Sequence, residues 1–213
     1  MSAARKTSAR LLASHRPLWR VTCRNPFVAG LRDGSLPLGV FNRWLVQDRY
    51  FVDGLFPAMA RILAGAPARD REVLLEGLRT ILGHLEWFDR TLAARGLDPG
   101  AAMHPVCRAY VDFNLSLGFE RYPIGVVALW AQFRAYRDAL AWARPAAPKF
   151  REIVRNWSSP EYLRFLRRLA RAVDAALAEA SASEARRAEE AFVQVAKYEL
   201  AFWVMTLEEK GRV

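Results

Sequence analysis

Two acidic side chains lie inside apolar stripes of the sequence and are the first candidates for chemistry. Asp48 lies four residues after Trp44 and three before Phe51, so an aromatic residue is one helical turn away on either side. Glu199 lies three residues before Phe202 in a similar setting. Burying a charge without a partner is costly, and ligand sites of helical bundles lie between facing helices. Each acid therefore serves a ligand or, as the structural alternative, pairs with an Arg.

Aromatic side chains are numerous enough to line a pocket for a flat heterocycle, although core packing is the commoner role for any one of them. The candidates are Trp44, Phe51, Tyr110, Trp130, Phe133, Tyr136, Trp157 and Trp203. Gln132 lies four residues before Tyr136 and shares a helical face with it. An aromatic pocket with two carboxyl groups suits a nitrogen-rich ring, because carboxylates accept hydrogen bonds from its amino groups.

The elements that must position these residues are helices, because apolar residues recur at intervals of three and four from Phe27 onward. A long helix carrying Asp48 follows the turn at 33–37, and we expect Pro57 to kink or end it. Ser159 before Pro160 is typical of an N-cap. The other helices are predicted at about 68–95, 105–119, 123–144, 147–157, 160–180 and 183–209. Without an internal repeat or a long linker, the sequence predicts a single all-α domain.

Composition places the chain among ordinary globular proteins. Its 213 residues are 53% hydrophobic and 25% charged, which excludes intrinsic disorder. Two cysteines argue against a disulfide framework and favour a cytoplasmic location. No apolar run approaches the roughly 18 residues of a membrane span. The histidines are too scattered to suggest a metal site, so we expect neither metal nor cofactor.

The net charge of +10 belongs largely to the N-terminus. Seven basic residues precede the first acid, Asp33, whereas 33–213 hold 25 Lys and Arg against 22 acids and carry only +3. We expect 1–14 to be a flexible basic extension, dispensable for ligand binding, and 15–213 to be the domain. A basic stripe at Arg164, Arg167, Arg168 and Arg171 is typical of a solvated face. Without zinc-finger spacing, a zipper or a helix-turn-helix, the pattern argues against a nucleic-acid partner.

Several motifs, in order, resemble the TenA/thiaminase II family. The N-terminal ones are Asn25-Pro26-Phe27, Asp33-Gly34-Ser35-Leu36-Pro37 and Phe41-x-x-Trp44-Leu45-Val46-Gln47-Asp48. The later ones are Trp87-Phe88 ahead of Arg95-Gly96-Leu97-Asp98, Leu129-Trp130-Ala131 with Tyr136, Trp157-Ser158-Ser159-Pro160-Glu161-Tyr162, and Tyr198-Glu199-x-x-Phe202-Trp203. The resemblance covers about residues 15 to 207.

The resemblance implies a heme-oxygenase-like bundle of seven or eight helices, assembled as a homotetramer or dimer. It also implies hydrolysis of aminopyrimidines in thiamine salvage, or cleavage of thiamine. By resemblance, Asp48 binds the pyrimidine edge, Glu199 moves protons near the leaving group, and Tyr136 supports the nucleophile. The ring-contacting positions are Phe51, Tyr110 and Trp157.

The sequence departs from the family at the nucleophile. Family members normally carry a Cys, or in one branch a Glu about one position later, where this chain has Gln132 and Phe133. Neither an amide nor a phenyl ring can serve as a covalent nucleophile. We therefore assign Gln132 and Phe133 to ligand binding. Cys107, three residues before Tyr110, is an alternative thiol, although an unreactive thiol is the more ordinary interpretation.

Three hypotheses follow for function. The first is a hydrolase of an aminopyrimidine or similar amine heterocycle, with Asp48 and Glu199 as its polar pair and Glu199 activating water. The second is a catalytically silent relative that binds such a ligand. The third is a nucleic-acid-binding or regulatory protein, which the charge alone suggests.

Overall fold

The computed structural model describes residues 6–157 and 159–207. These residues form ten α-helices and a 3-10 turn at Pro148–Phe150, with no strand among them. The helices are α1 (Ser8–Ser14), α2 (Arg16–Cys23), α3 (Pro26–Asp33), α4 (Leu38–Ala64), α5 (Ala68–Ala94), α6 (Pro105–Leu117), α7 (Tyr122–Trp142), α8 (Arg151–Asn156), α9 (Pro160–Glu179) and α10 (Ala182–Val204). The all-α prediction is confirmed. The number exceeds eight because the first part of the chain folds into three short helices.

Side-chain caps mark where several helices begin. Asn25 accepts a hydrogen bond from the amide of Val28 at the start of α3. Ser159 accepts one from the amide of Tyr162, which confirms the predicted N-cap of α9. At α10, Ser181 and Glu184 form a reciprocal capping box. Each cap satisfies amides that the first helical turn leaves without an intrahelical partner.

The helix that carries Asp48 continues past Pro57 to Ala64. Of the two alternatives expected at Pro57, a kink or an end, the end is wrong. Proline removes one helical hydrogen bond and crowds the preceding turn, which costs about 3 kcal/mol or more in a helix interior. Pro57 is exposed, whereas Leu55 and Met59 on either side are buried. Burial of the opposite face offsets that cost and holds the helix together.

Helix α7 is the centre of the bundle. It packs against α2, α4, α9 and α10, and it is buried around most of its circumference. The helices α5 and α6 pack against α4, and α9 packs against α5. This arrangement brings α4, α6, α7 and α10, the helices that carry the predicted polar residues, into one core.

The N-terminal segment differs from the flexible extension predicted over 1–14. Residues 1–5 lie outside the described residues, but Ser8–Ser14 form α1, whose Leu11 is buried. The Ser8 amide donates to Asp174 Oδ1 at 2.7 Å, and Lys6 forms an ion pair with Glu189. One apolar anchor and two polar contacts therefore hold α1 against α9 and α10.

The basic stripe of α9 is partly neutralised at the surface. Arg164 pairs with Glu161 at 2.8 Å, and Arg168 reaches Glu72 on α5 at 3.5 Å.

In residues 6–157 and 159–207, no helix is both long enough and apolar enough to cross a bilayer.

We predict that Leu11→Ala lowers the free energy of unfolding by about 2–3 kcal/mol, because it removes the apolar anchor of α1 and leaves a cavity. Urea unfolding measures the change. Arg10→Ala, an exposed change in the same helix, is the control and should alter stability little. Equal stability of the two variants would show that α1 does not pack as described.

Candidate functional site

Asp48 is fully buried on α4 and interacts with a tyrosine instead of a cation. Its Oδ1 accepts a hydrogen bond from the Tyr136 hydroxyl of α7. Its Oδ2 has no hydrogen-bond partner among the described residues, and no Lys or Arg described here pairs with it. Burial raises the pKa of Asp48 from 3.8 to about 8, because removal from water penalises the charged form. Asp48 is therefore mostly neutral at pH 7.

Glu199 repeats this arrangement on α10. Its Oε1 accepts a hydrogen bond from the Tyr110 hydroxyl of α6 at 2.7 Å, and no basic side chain in the described ranges pairs with it. Burial raises the pKa of Glu199 well above its usual range, and the nearby Asp48 carboxyl adds to the shift. The ion pair with an Arg, the structural alternative for both acids, is absent from the part of the chain that the structure describes.

Aromatic rings form a layer beside the two carboxyl groups. The rings of Phe51 and Tyr110 have centroids 4.7 Å apart, and Phe51 lies parallel to Tyr136 at 6.3 Å. Tyr136 in turn contacts Trp157, with ring centroids 6.0 Å apart. Tyr110 and Tyr136 thus have two roles. Their hydroxyls donate hydrogen bonds to the acids, and their rings pack with the other aromatic residues.

A small cavity, with about 20 Å³ of space for the centre of a water molecule, lies against this layer. Five predicted ligand-contacting or catalytic residues line it: Phe51, Gln132, Phe133, Tyr136 and Trp157. Asp48, Glu199 and Tyr110 are not among the lining residues. This space holds about one water molecule and is far below the roughly 300–1,000 Å³ of small-molecule pockets, so a heterocycle enters only when lining side chains move. The structure therefore separates the predicted site into an aromatic wall with Gln132 and a pair of acids behind it.

His84 of α5 also lines the cavity, and the sequence analysis did not select it. Its ring stacks on Trp157 with centroids 4.5 Å apart, and burial lowers its pKa to about 4, which leaves the imidazole neutral at pH 7. The sequence does contain a pattern that indicates His84, because this residue lies between Ile81 and Phe88 on a buried stripe of α5. The criterion that selected Asp48 and Glu199, a polar residue within an apolar stripe, would have selected it.

Tyr162 of α9 is a second lining residue that the site prediction omitted, although it belongs to one of the quoted motifs. Its hydroxyl donates to the backbone carbonyl of Phe133 at 2.9 Å. The Phe133 ring packs edge-on against Phe165, with centroids 5.1 Å apart. These contacts hold Phe133 in the wall of the cavity.

Gln132 is buried and bound to Asn114 of α6. Its Nε2 donates to Asn114 Oδ1 at 2.8 Å. Within the described part of the chain, Gln132 Oε1 and Asn114 Nδ2 have no hydrogen-bond partner. A polar side chain thus occupies the position of the missing nucleophile and keeps one acceptor unused.

Cys107 does not replace the nucleophile. It is completely buried, lies outside the cavity wall, and its thiol donates to the backbone carbonyl of Gln47 at 3.4 Å. Burial raises its pKa to about 12, so the reactive thiolate is scarce at neutral pH. The hypothesis of a catalytic Cys107 is therefore wrong.

Among residues 6–157 and 159–207, no group of three His, Cys, Asp or Glu side chains is placed to hold a metal ion.

We predict that Asp48→Asn changes how stability depends on pH. A carboxyl group whose pKa is raised by folding contributes most to stability below its unfolded value near 3.8, and that contribution falls as the pH rises toward 8. Asn does not titrate and can still accept the Tyr136 hydrogen bond. The variant should therefore gain stability relative to the wild type between pH 5 and 8, by at most about 1.4 kcal/mol per pH unit.

Urea unfolding at several pH values measures this difference. Asp112→Asn is the matched control, because Asp112 is exposed on α6. Parallel stability profiles for Asp48→Asn and the wild type would contradict the raised pKa.

Comparison with known proteins identifies the family of the chain. The TENA/THI-4/PQQC family model matches residues 12–209. The "Probable bifunctional TENA-E protein" of Glycine max is 26% identical over 209 residues, which cover 92% of this chain and 90% of that protein.

Solved structures of TenA homologues have a similar fold. A TenA homologue from Pyrococcus furiosus has a TM-score of 0.89 and 26% identity, covering 93% of this chain and 98% of that one. A TenA homologue from P. horikoshii OT3 has a TM-score of 0.83 and 27% identity, covering 93% and 97%. These likenesses confirm the predicted heme-oxygenase-like fold. The chain belongs to the TENA/THI-4/PQQC family.

Proposed function

We propose that this protein acts in thiamine metabolism by binding an aminopyrimidine or a similar small amine heterocycle without cleaving it. Membership of the family and the TENA-E relative support the metabolic role. The observation that carries the second part is the identity of the residues at the nucleophile positions. Gln132 and Phe133 both line the cavity, and neither side chain can attack a substrate carbon.

The chemistry of the cavity wall suits a flat ring, which enters only when lining side chains move to make room. Phe51, Tyr136 and Trp157 supply aromatic surface, which favours stacking and edge contacts with a heterocycle. Burial raises the pKa values of both nearby carboxyl groups and so disfavours their charged forms, and His84 is neutral at pH 7. An uncharged aromatic cavity favours a small neutral heterocycle over an anionic ligand.

Hydrolysis is the second candidate, and one observation favours it. Glu199 Oε2 has no hydrogen-bond partner among the residues that the structure describes, so in the ionised form of Glu199 this oxygen is free to accept a proton from water. In this case Glu199 would activate water, Asp48 would hold the ring, and Tyr136 would position it. The placement of Asp48 and Glu199 behind the aromatic wall argues for binding over hydrolysis.

Assembly and location remain predictions. We propose a homo-oligomer, a tetramer or a dimer, in the cytoplasm, with the heterocycle as ligand and no nucleic-acid partner. Leu75 and Leu82, seven residues apart on α5, are 42% and 49% exposed, and an apolar pair at this spacing suits contact with a second copy.

We predict that isothermal titration calorimetry with 4-amino-5-aminomethyl-2-methylpyrimidine gives saturable heat, while an ammonia assay at high protein concentration gives no product. Phe51→Leu should weaken binding about two- to tenfold, because it removes a ring from the cavity wall. Phe192→Leu is the control, since Phe192 is buried against Trp19 outside the cavity.

Two results would contradict this proposal. Absence of heat with aminopyrimidines and thiamine would remove the ligand class. Ammonia release that disappears in Glu199→Gln would establish the hydrolase instead of the non-cleaving binder.

A further inference from the structure

The Gln132 side chain carries a buried, unpaired polar atom in the cavity wall. It is 2% exposed, lines the cavity, and has a carbonyl oxygen with no hydrogen-bond partner among the described residues. Buried polar atoms are nearly always paired, because an unpaired one loses its hydration without compensation. A buried, unpaired acceptor in the wall of the cavity is therefore a feature that a ligand can complete once lining side chains move to admit it.

Asn114 determines which end of the amide is left for a ligand. It is 1% exposed on α6, and its Oδ1 accepts from Gln132 Nε2 at 2.8 Å. With the amino end of Gln132 engaged, the oxygen is the available atom. An amide held in this way loses little conformational freedom on binding, which favours recognition of one hydrogen-bond pattern.

The hydroxyl groups of the wall already donate their protons inside the protein. The Tyr136 hydroxyl donates to Asp48, and the Tyr162 hydroxyl donates to the backbone carbonyl of Phe133. Both hydroxyl protons are therefore engaged inside the protein. Their oxygens can still accept, but Gln132 Oε1 differs in being a carbonyl oxygen that makes no hydrogen bond within the described ranges.

We infer that Gln132 Oε1 is a specificity-determining acceptor that selects heterocycles carrying an N–H or O–H donor. This inference rests on the proposed function, because it assumes that the cavity binds a small heterocycle. It goes further by replacing the covalent role of that position with non-covalent recognition. The ligand donates one hydrogen bond to Gln132, and no bond of the ligand is made or broken.

Three ligands, each differing from the next by one donor, test this inference. They are 4-amino-5-hydroxymethyl-2-methylpyrimidine, 4-amino-2,5-dimethylpyrimidine and 2,5-dimethylpyrimidine. The first two differ by the side-chain hydroxyl, and the last two by the ring amino group. Calorimetry with the wild type should show a preference of about ten- to a hundredfold for the donor-bearing member of at least one pair.

Two substitutions of Gln132 identify the acceptor. Gln132→Met keeps the approximate volume and lacks the carbonyl, so it should lose that preference. Gln132→Glu keeps an acceptor oxygen in a similar shape and should retain the preference. Thermal unfolding of each variant shows whether it is folded at the titration temperature, and Asn114→Ala, which frees the amide, should reduce the preference in part.

The outcomes separate this inference from the proposed function. If the wild type binds none of the three ligands, the proposed function fails and the inference fails with it. If the wild type binds them without preference for a donor, only the inference fails. A preference that survives in Gln132→Met assigns the acceptor to another group, such as Asp48, and also overturns the inference.

Discussion

Asp48 and Glu199 are buried among aromatic side chains without a neighbouring cation in the described residues, and this constraint determines the arrangement of the site. A carboxyl group in such a place is stable only if it stays protonated or receives strong hydrogen bonds. Tyr136 and Tyr110 each donate one hydrogen bond, which orients their rings as well as the acids. The aromatic wall and the two acids therefore form a single structural unit.

That unit accounts for a cavity with little charge at neutral pH. The acids lie behind the rings, and the groups that line the cavity are aromatic rings, aliphatic side chains, the amide of Gln132 and the imidazole of His84. At the positions where the resemblance to the TenA/thiaminase II family leads us to expect a nucleophile, Gln132 is bound to Asn114, and the backbone carbonyl of Phe133 is bound to Tyr162. Both positions are integrated into the packing of the core. The family fold is retained here, while the function depends on the particular side chains of the site.

Local patterns in the sequence predicted most of the fold. The spacing of apolar residues and the Ser159 cap give the helices, since these signals depend on neighbours within one or two turns. The passage of α4 through Pro57 and the packing of Leu11 depend on contacts made elsewhere in the bundle, so local signals misjudged both. The tyrosine partners of the acids lie 88 and 89 residues away in sequence, which only the three-dimensional packing reveals. His84, by contrast, was detectable as a polar residue in an apolar stripe.

The protonation of the two buried acids is the claim on which this account of the site depends most. Carbon-13 NMR of the side-chain carboxyl carbons, followed from pH 4 to pH 9 and assigned with Asp48→Asn and Glu199→Gln, measures it directly. We expect Asp48 to titrate near pH 8 and Glu199 to titrate well above the usual range of a glutamate, because burial raises both pKa values. Titration of both groups below pH 5 would show that they are ionised in the folded protein and would contradict the uncharged cavity.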